Sequence, residues 1–256
     1  MNQETFQIFL WVMSAVALVV FIALYFVKAG YGMFRTASWG ISINNKLAWV
    51  LMEAPVFIVM FGLWGKSGAG FAVPVYFFFL LFQLHYLQRA FIFPCLLKGK
   101  SRMPVAIMAM GIVFNLLNGM MQAGGLFYFA PEGLYADGWA YLLKPHALLG
   151  VILFFAGMFV NLHSDYVIRH LRKPGDTKHY LPGKGLYRYV TSANYFGELV
   201  EWTGFAILTA SPAAWVFVWW TFANLVPRAD AIHRRYREEF GDEAVGKRKR
   251  IIPFLY

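Results

Sequence analysis

Charge is what this chain has least of. Among its 256 residues only 14% are Asp, Glu, Lys or Arg, whereas 59% are hydrophobic and 19% aromatic; soluble domains carry about 25% charge. A water-facing surface of ordinary chemistry cannot be assembled from that inventory, which excludes a soluble globular fold. Cysteine is nearly missing as well. Cys95 stands alone, ruling out an intrachain disulfide and a thiolate metal cluster. The six histidines are scattered, with neither HExxH nor a paired-carboxylate motif, so no metal is expected. GxGxxG after a strand, GxxxxGK[ST] and any internal repeat are also lacking. Gly183-Lys184-Gly185 after Pro182 reads as a turn.

What is present is a series of long apolar runs, near 6–27, 46–64, 72–97, 105–129, 142–161, 192–210 and 213–227. At about 1.5 Å rise per residue each approaches the roughly 30 Å of a bilayer's hydrocarbon. The expectation is one all-α integral membrane domain, 1–256, with seven transmembrane helices. The last two are separated only by Ala210-Ser211-Pro212-Ala213, a helical hairpin turn with Pro212 opening the final helix. The first run follows Glu4 and no Lys or Arg, and is too long for a signal-peptide core, so it reads as a helix. Basic residues number three in 28–46, three in 98–102, six in 166–191 and eight from Arg228 onward, 20 of the 23 in the chain, all on one side of the membrane. The positive-inside rule then puts the C-terminus in the cytoplasm and the N-terminus outside. The net charge of +10 is thus a topology signal and a rim for anionic lipid rather than a nucleic-acid surface.

Against this apolar background certain polar residues stand out, because a charge at membrane depth costs a few kcal/mol even on lenient scales. Glu53 lies inside the second run with no charge nearer in sequence than Lys46. It is either a bridge between helices or an acid able to hold a hydrogen bond. FQLHYLQRAF places His85, Tyr86 and Arg89 within two turns, with His85 and Arg89 on one face. Tyr86 opposite Glu53 would form a phenol and carboxyl pair suited to a carbonyl oxygen; Arg89 is also placed to reach the interface. Asn118 and Gln122, with Asn115 nearby, either line a polar cavity or bond between helices.

From Asn161 to Trp202 polar groups concentrate: Asn161, His163, Asp165, Arg169, Arg172, Lys173 followed by Pro174-Gly175, then Asn194, Glu198 and Glu201. Cations suit phosphates, while amides and carboxylates suit ribose and ring-edge donors, so this mixture fits a nucleotide better than a fatty chain. Arg228, His233 and Tyr236 follow the last helix.

The blocks MEAP at Glu53, LHYLQR at Tyr86, NLHSDYVIRHLRKPG from Asn161, SANYFGELVEW from Ser192 and the final IPFLY resemble the steroid 5α-reductase family, especially its type 2 branch. The resemblance covers most of the chain from the second helix onward and is weakest over the first. It implies a membrane enzyme of seven helices that uses NADPH to reduce the 4,5 double bond of 3-oxo-4-ene steroids. Glu53 and Tyr86 would hold the ketone as catalytic residues, with Met52 and Asn118 beside the substrate. Asn161, Asp165, Arg172, Asn194 and Glu198 would contact the cofactor; Arg89, Arg228, His233 and Tyr236 would line the same site. Two departures stand out: Met52 replaces the family's glutamine, and His179-Tyr180 replaces its frequent tyrosine-arginine, so a phosphate or adenine contact there would be made differently. The cofactor portion falls largely in 161–256.

Further readings are a reductase of a polyprenol, sterol or enoyl lipid, a methyltransferase like those acting on isoprenylcysteine with S-adenosylmethionine, and a non-enzymatic lipid transporter. The expected partners are the bilayer and one small apolar substrate, with a monomer sufficient. The expected location is a bacterial inner membrane or the endoplasmic reticulum, with the cofactor site facing the cytoplasm.

Overall fold

A computed structural model describes every residue except Pro174, Gly175 and Thr177, and of Ala37 the backbone only. The Pro174-Gly175 pair noted above therefore lies outside the described residues. Seven long helices account for most of the chain: α1 Gln3–Phe26, α2 Asn45–Ser67, α3 Val75–Leu87, α4 Val105–Ala123, α5 Pro145–Arg169, α6 Ala193–Thr209 and α7 Pro212–Phe240.

Their ends follow local chemistry. The Asn2 side chain caps α1 through the Thr5 amide at 2.8 Å, and Asn44 caps α2 through Lys46 and Leu47; each satisfies amides that the first turn leaves unpaired. Gly68 closes α2 in the left-handed conformation (φ 72°). Helix α3 runs through a wide π turn, Gln88–Ile92, into Phe93–Leu96, and α4 widens likewise over Gly124–Tyr128. A short antiparallel ribbon, β1 Ser42–Asn44 with β2 Arg102–Pro104, pairs Ile43 with Met103. It stands directly before α2 and α4 and ties their starts together.

Two boundaries differ from the sequence reading. The fifth helix, expected to end at residue 161, continues to Arg169, and the last, expected to end at 227, continues through Pro227 to Phe240. Polarity ended the apolar runs without ending the helices, since neither stretch contains a glycine to stop it before Gly241 (φ 83°). The hairpin between α6 and α7 turns at Ala210 (φ 51°) and Ser211, with Pro212 opening α7 as expected.

Five helical segments are long and apolar enough to cross a membrane: Gln3–Phe26, Asn45–Ser67, Val75–Leu96, Val105–Tyr128 and Pro145–Arg169. Helix α6 has 17 residues, and the second half of α7 is strongly charged. Large apolar side chains face outward, among them Trp11 (76% exposed) and Ile58 (63%). Such a surface suits hydrocarbon, and a helix is a fold that satisfies its backbone internally, as a spanning segment must. The chain is an integral membrane protein.

The core gathers Phe78, Phe82, Phe154, Trp202, Phe205 and Met60. Its tightest seam lies between α5 and α6, where glycines seven residues apart on each helix, Gly150 and Gly157 against Gly197 and Gly204, let the backbones touch. A Cβ on Gly157 would stand 2.6 Å from the Gly197 carbonyl oxygen, and one on Gly204 would stand 2.7 Å from that of Gly150. Both are nearer than real Cβ atoms approach backbone. Gly65, by contrast, has open space. Gly157→Ala is expected to destabilise the protein by about 1–3 kcal/mol through overpacking, whereas Gly65→Ala is neutral or stabilising by up to about 1 kcal/mol through helix propensity. Thermal unfolding in detergent checks the opposed signs.

Candidate functional site

Helices α2, α3 and α4 bring together the first polar group. The Asn115 amide donates to the Met52 carbonyl at 2.7 Å and to Glu53 Oε2 at 3.2 Å. One turn along α4, Asn118 Nδ2 donates to the Tyr86 hydroxyl at 3.1 Å, because residues three apart share a helix face. Glu53 and Tyr86 are thus each held by an asparagine of α4, with no hydrogen bond to each other among the described residues. Asn118 also accepts from Gln122 at 3.4 Å, and Gln122 donates to the Ala213 carbonyl at 3.0 Å. The Met52 side chain packs over Gly111, and its carbonyl anchors Asn115. Tyr86 is 3% exposed and Asn118 fully buried.

The second group centres on Arg89, at the wide turn that continues α3. Its guanidinium packs against the adjoining rings of Trp49 and Phe93, each centroid 4.7 Å away. It faces Asp165 at 3.6 Å and Glu198 at 4.0 Å. Arg89 therefore turns into the bundle instead of extending to the interface. One turn earlier on the same face, His85 Nδ1 meets Glu201 Oε1 at 2.7 Å, both residues buried.

The third group sits where α5 ends and α6 begins. Asn161 Nδ2 donates to the Asn194 carbonyl at 3.0 Å, Asn194 Nδ2 donates to Asp165 Oδ1 at 3.2 Å, and the Tyr187 hydroxyl donates to Asn194 Oδ1 at 3.3 Å. Around them, Arg169 Nη1 and Ser192 Oγ are buried without a hydrogen-bonding partner among the described residues, and Asp165 Oδ2 has only its 3.6 Å ion pair with Arg89. Under-satisfied donors and acceptors of both charges at one place are costly unless something else satisfies them.

The remaining expected residues divide. Arg228 is drawn in, with Nε donating to the Tyr195 hydroxyl at 3.0 Å and the guanidinium stacked on Tyr31 at 3.7 Å. His233 lies 3.3 Å from Thr191 Oγ1, and burial with Arg250 and Arg237 nearby holds its imidazole below the usual range. Burial pushes the Tyr236 phenol up to about 12. His179 and Tyr180 are engaged elsewhere: His179 contacts Glu239 at 2.9 Å, and the Tyr180 hydroxyl donates to Asp176 at 2.7 Å. With the Lys178 amide bonded to it as well, the Asp176 carboxyl is held below its ordinary value. Arg172 is exposed. Asn115, read from the sequence only as a neighbour of Asn118 and Gln122, binds Glu53 directly. The group also includes residues to which sequence reasoning gave no role: Tyr187, Ser192 and Tyr195.

The comparisons with known proteins agree with one another. A family model described as 3-oxo-5-alpha-steroid 4-dehydrogenase matches residues 101–256. The chain is 36% identical to 3-oxo-5-alpha-steroid 4-dehydrogenase 1 of Bos taurus over 94% of its length and 93% of that protein. It is 36% identical to steroid 5-alpha-reductase DET2 of Gossypium hirsutum over 100% and 99%, and 37% identical to 3-oxo-5-alpha-steroid 4-dehydrogenase 2 of Sus scrofa over 92% and 91%.

The lowered His233 makes a pH prediction. The unfolded chain binds a proton near pH 6.5 while the folded protein resists it, so this contribution is present above that pH and is lost as pH falls through the folded value. His233→Gln is expected to flatten part of the stability loss as pH falls below about 6.5, read by thermal unfolding at successive pH values.

Proposed function

The chain belongs to the 3-oxo-5-alpha-steroid 4-dehydrogenase family, oxidoreductases acting on CH–CH bonds, and from that premise we propose that it reduces the 4,5 double bond of a 3-oxo-4-ene steroid with NADPH. The observation that carries this reading is the pairing of Asn118 with the Tyr86 hydroxyl beside Asn115 with Glu53. Because the phenol oxygen accepts the Asn118 amide, its own proton is free to be donated to a ketone oxygen. Glu53, in its protonated form, adds a second donor.

Polarising the ketone through Tyr86 and Glu53 makes the β-carbon of the enone electrophilic and stabilises the charge that grows on oxygen as that carbon gains hydride. Preorganised donors away from water are worth more than donors in solution. The apolar side chains packed around Tyr86, including Phe82 and Trp202, are of the kind that suits a polycycle with terminal oxygens.

The unpartnered atoms of Arg169 and Ser192 and the loosely paired Asp165 Oδ2, with the Asn161–Asn194–Asp165 network beside them, fit a dinucleotide, which offers acceptors and donors to both charge types. Bound there, the reduced nicotinamide supplies the hydride. Asn161, Asp165, Asn194 and Glu198 would hold it, with Arg89 balancing the two carboxylates. Arg172, Arg228, His233 and Tyr236 would bound the same site, whereas His179 and Tyr180 would act only by releasing Glu239 and Asp176. The protein would be a single domain whose cofactor portion is 161–256. Its seven helices would all span, with the N-terminus outside and the cofactor reached from the cytoplasm; the placement of 20 of 23 basic residues supports that orientation.

The test is NADPH oxidation by the purified protein with a 3-oxo-4-ene steroid, the product identified by mass. Steroid-dependent oxidation yielding the saturated ketone is expected. Turnover of a different activated alkene alone would sink the steroid assignment. Tyr86→Phe and Glu53→Gln are expected to lower kcat about 10²-fold or more with NADPH affinity retained, whereas Asn194→Ala weakens NADPH binding about tenfold. Equilibrium cofactor binding separates the two classes.

A further inference from the structure

The mechanism above leaves one buried titratable pair unused. His85 on α3 and Glu201 on α6 are 116 residues apart in sequence, 5% and 0% exposed, and joined at 2.7 Å. The pair is expensive. Two ionisable groups at that depth lose most of their hydration, and Glu201 Oε2 has no hydrogen-bonding partner among the described residues, so the carboxyl is only half satisfied. Packed apolar side chains would hold α3 against α6 at least as well, which makes stability a poor reason for keeping it.

Its neighbours suggest another role. The His85 ring stands edge-on to Tyr86, with centroids 5.0 Å apart, and lies 4.5 Å from Trp202. Trp202 follows Glu201 directly and lies 5.9 Å from Tyr86, which also meets Phe82 at 4.8 Å. Tyr86 thus packs against Phe82, His85 and Trp202. Two of those three rings are fixed by the pair: His85 as a member, and Trp202 through the backbone of Glu201. The bond also prevents α3 from sliding or rotating against α6 at the depth of Tyr86. A phenol that must meet a substrate oxygen within a few tenths of an ångström needs such a restraint, since a misplacement of about 1 Å costs roughly 10²-fold in rate.

We propose that His85 and Glu201 are positioning residues for Tyr86, an oriented hydrogen bond between α3 and α6 that sets where the phenol presents its proton to the substrate. This rests on the reductase reading above and extends it to a part of the bundle that touches neither substrate nor cofactor.

The test uses His85→Phe, His85→Asn and the double variant His85→Phe/Glu201→Leu in the full-length protein. Readouts are kcat and KM for the steroid, NADPH affinity and thermal unfolding. Asn places an amide donor near the position of imidazole Nδ1, so His85→Asn is the conservative rescue. His85→Phe is expected to lower kcat by about 10²-fold with steroid KM and NADPH affinity within a fewfold of wild type, and His85→Asn to recover most of the loss. The double variant, with an apolar pair in place of the bond, is expected to melt no lower than wild type and still turn over slowly. That combination separates positioning from structure. A double variant as active as wild type would overturn the proposal, as would loss of NADPH binding in His85→Phe. Failure of the double variant to fold would overturn it too, by showing that the pair serves stability. Wild-type turnover is the control: if the wild-type protein reduces no 3-oxo-4-ene steroid, the functional reading has failed, and the stability arm still reports on the pair.

Discussion

The close approach of α5 and α6 is the contact on which the site depends. Four glycines, two per helix at the same spacing, remove the side chains that would hold the backbones apart. Small residues at a helix interface are the membrane's usual means of bringing backbones together, because lipid supplies no hydrophobic drive for association. At one end of this seam Asn161 and Asp165 meet Asn194. Along α6, Glu198 and Glu201 are then aimed at α3, where Arg89 and His85 receive them. A wider seam would separate these groups by more than hydrogen-bond reach, and each buried charge would be left alone.

Helix α3 couples the two halves of the site. It carries Tyr86, whose hydroxyl belongs to the α4 asparagine face, and three residues later Arg89, which belongs to the α5–α6 carboxylates. The π turn beginning at Gln88 adds a residue to the helical circuit there, and such widened turns often mark functional positions. Arg89 is stacked on two rings while facing two carboxylates. That arrangement offsets part of the hydration a buried guanidinium gives up.

Much of this was legible in the sequence. The long helices follow from hydropathy, five segments being apolar enough to cross a membrane where seven were expected, and the hairpin at Pro212 follows from the brevity of its turn. Glu53, Tyr86 and the Asn161–Trp202 stretch stood out because polarity is rare in this chain. Elsewhere the sequence signal was local and the determinant was not. The apolar run ended near 161 while the helix went on to Arg169, since hydropathy reports the solvent and not the hydrogen-bond ladder. The holding of Glu53 and Tyr86 by Asn115 and Asn118 depends on how α2, α3 and α4 rotate against each other, which no single helix encodes. His179 and Tyr180 found acidic partners in the tail and their own loop. The seven-residue spacing of Gly150 with Gly157 and Gly197 with Gly204 was visible in the chain, but its meaning appears only when the two helices are set side by side.

The proposed division, a substrate half built on Tyr86 and Glu53 and a cofactor half built on Asn161, Asp165 and Asn194, makes a definite demand on where hydrogen goes. The most direct measurement is the fate of deuterium from NADPH labelled at nicotinamide carbon 4, followed into the reduced steroid by mass spectrometry and NMR. One cofactor deuterium at the β-carbon of the former enone, a solvent-derived hydrogen at the α-carbon and an intact ketone are predicted. Deuterium at the carbonyl carbon, or a saturated product without cofactor deuterium, would contradict the division of the site.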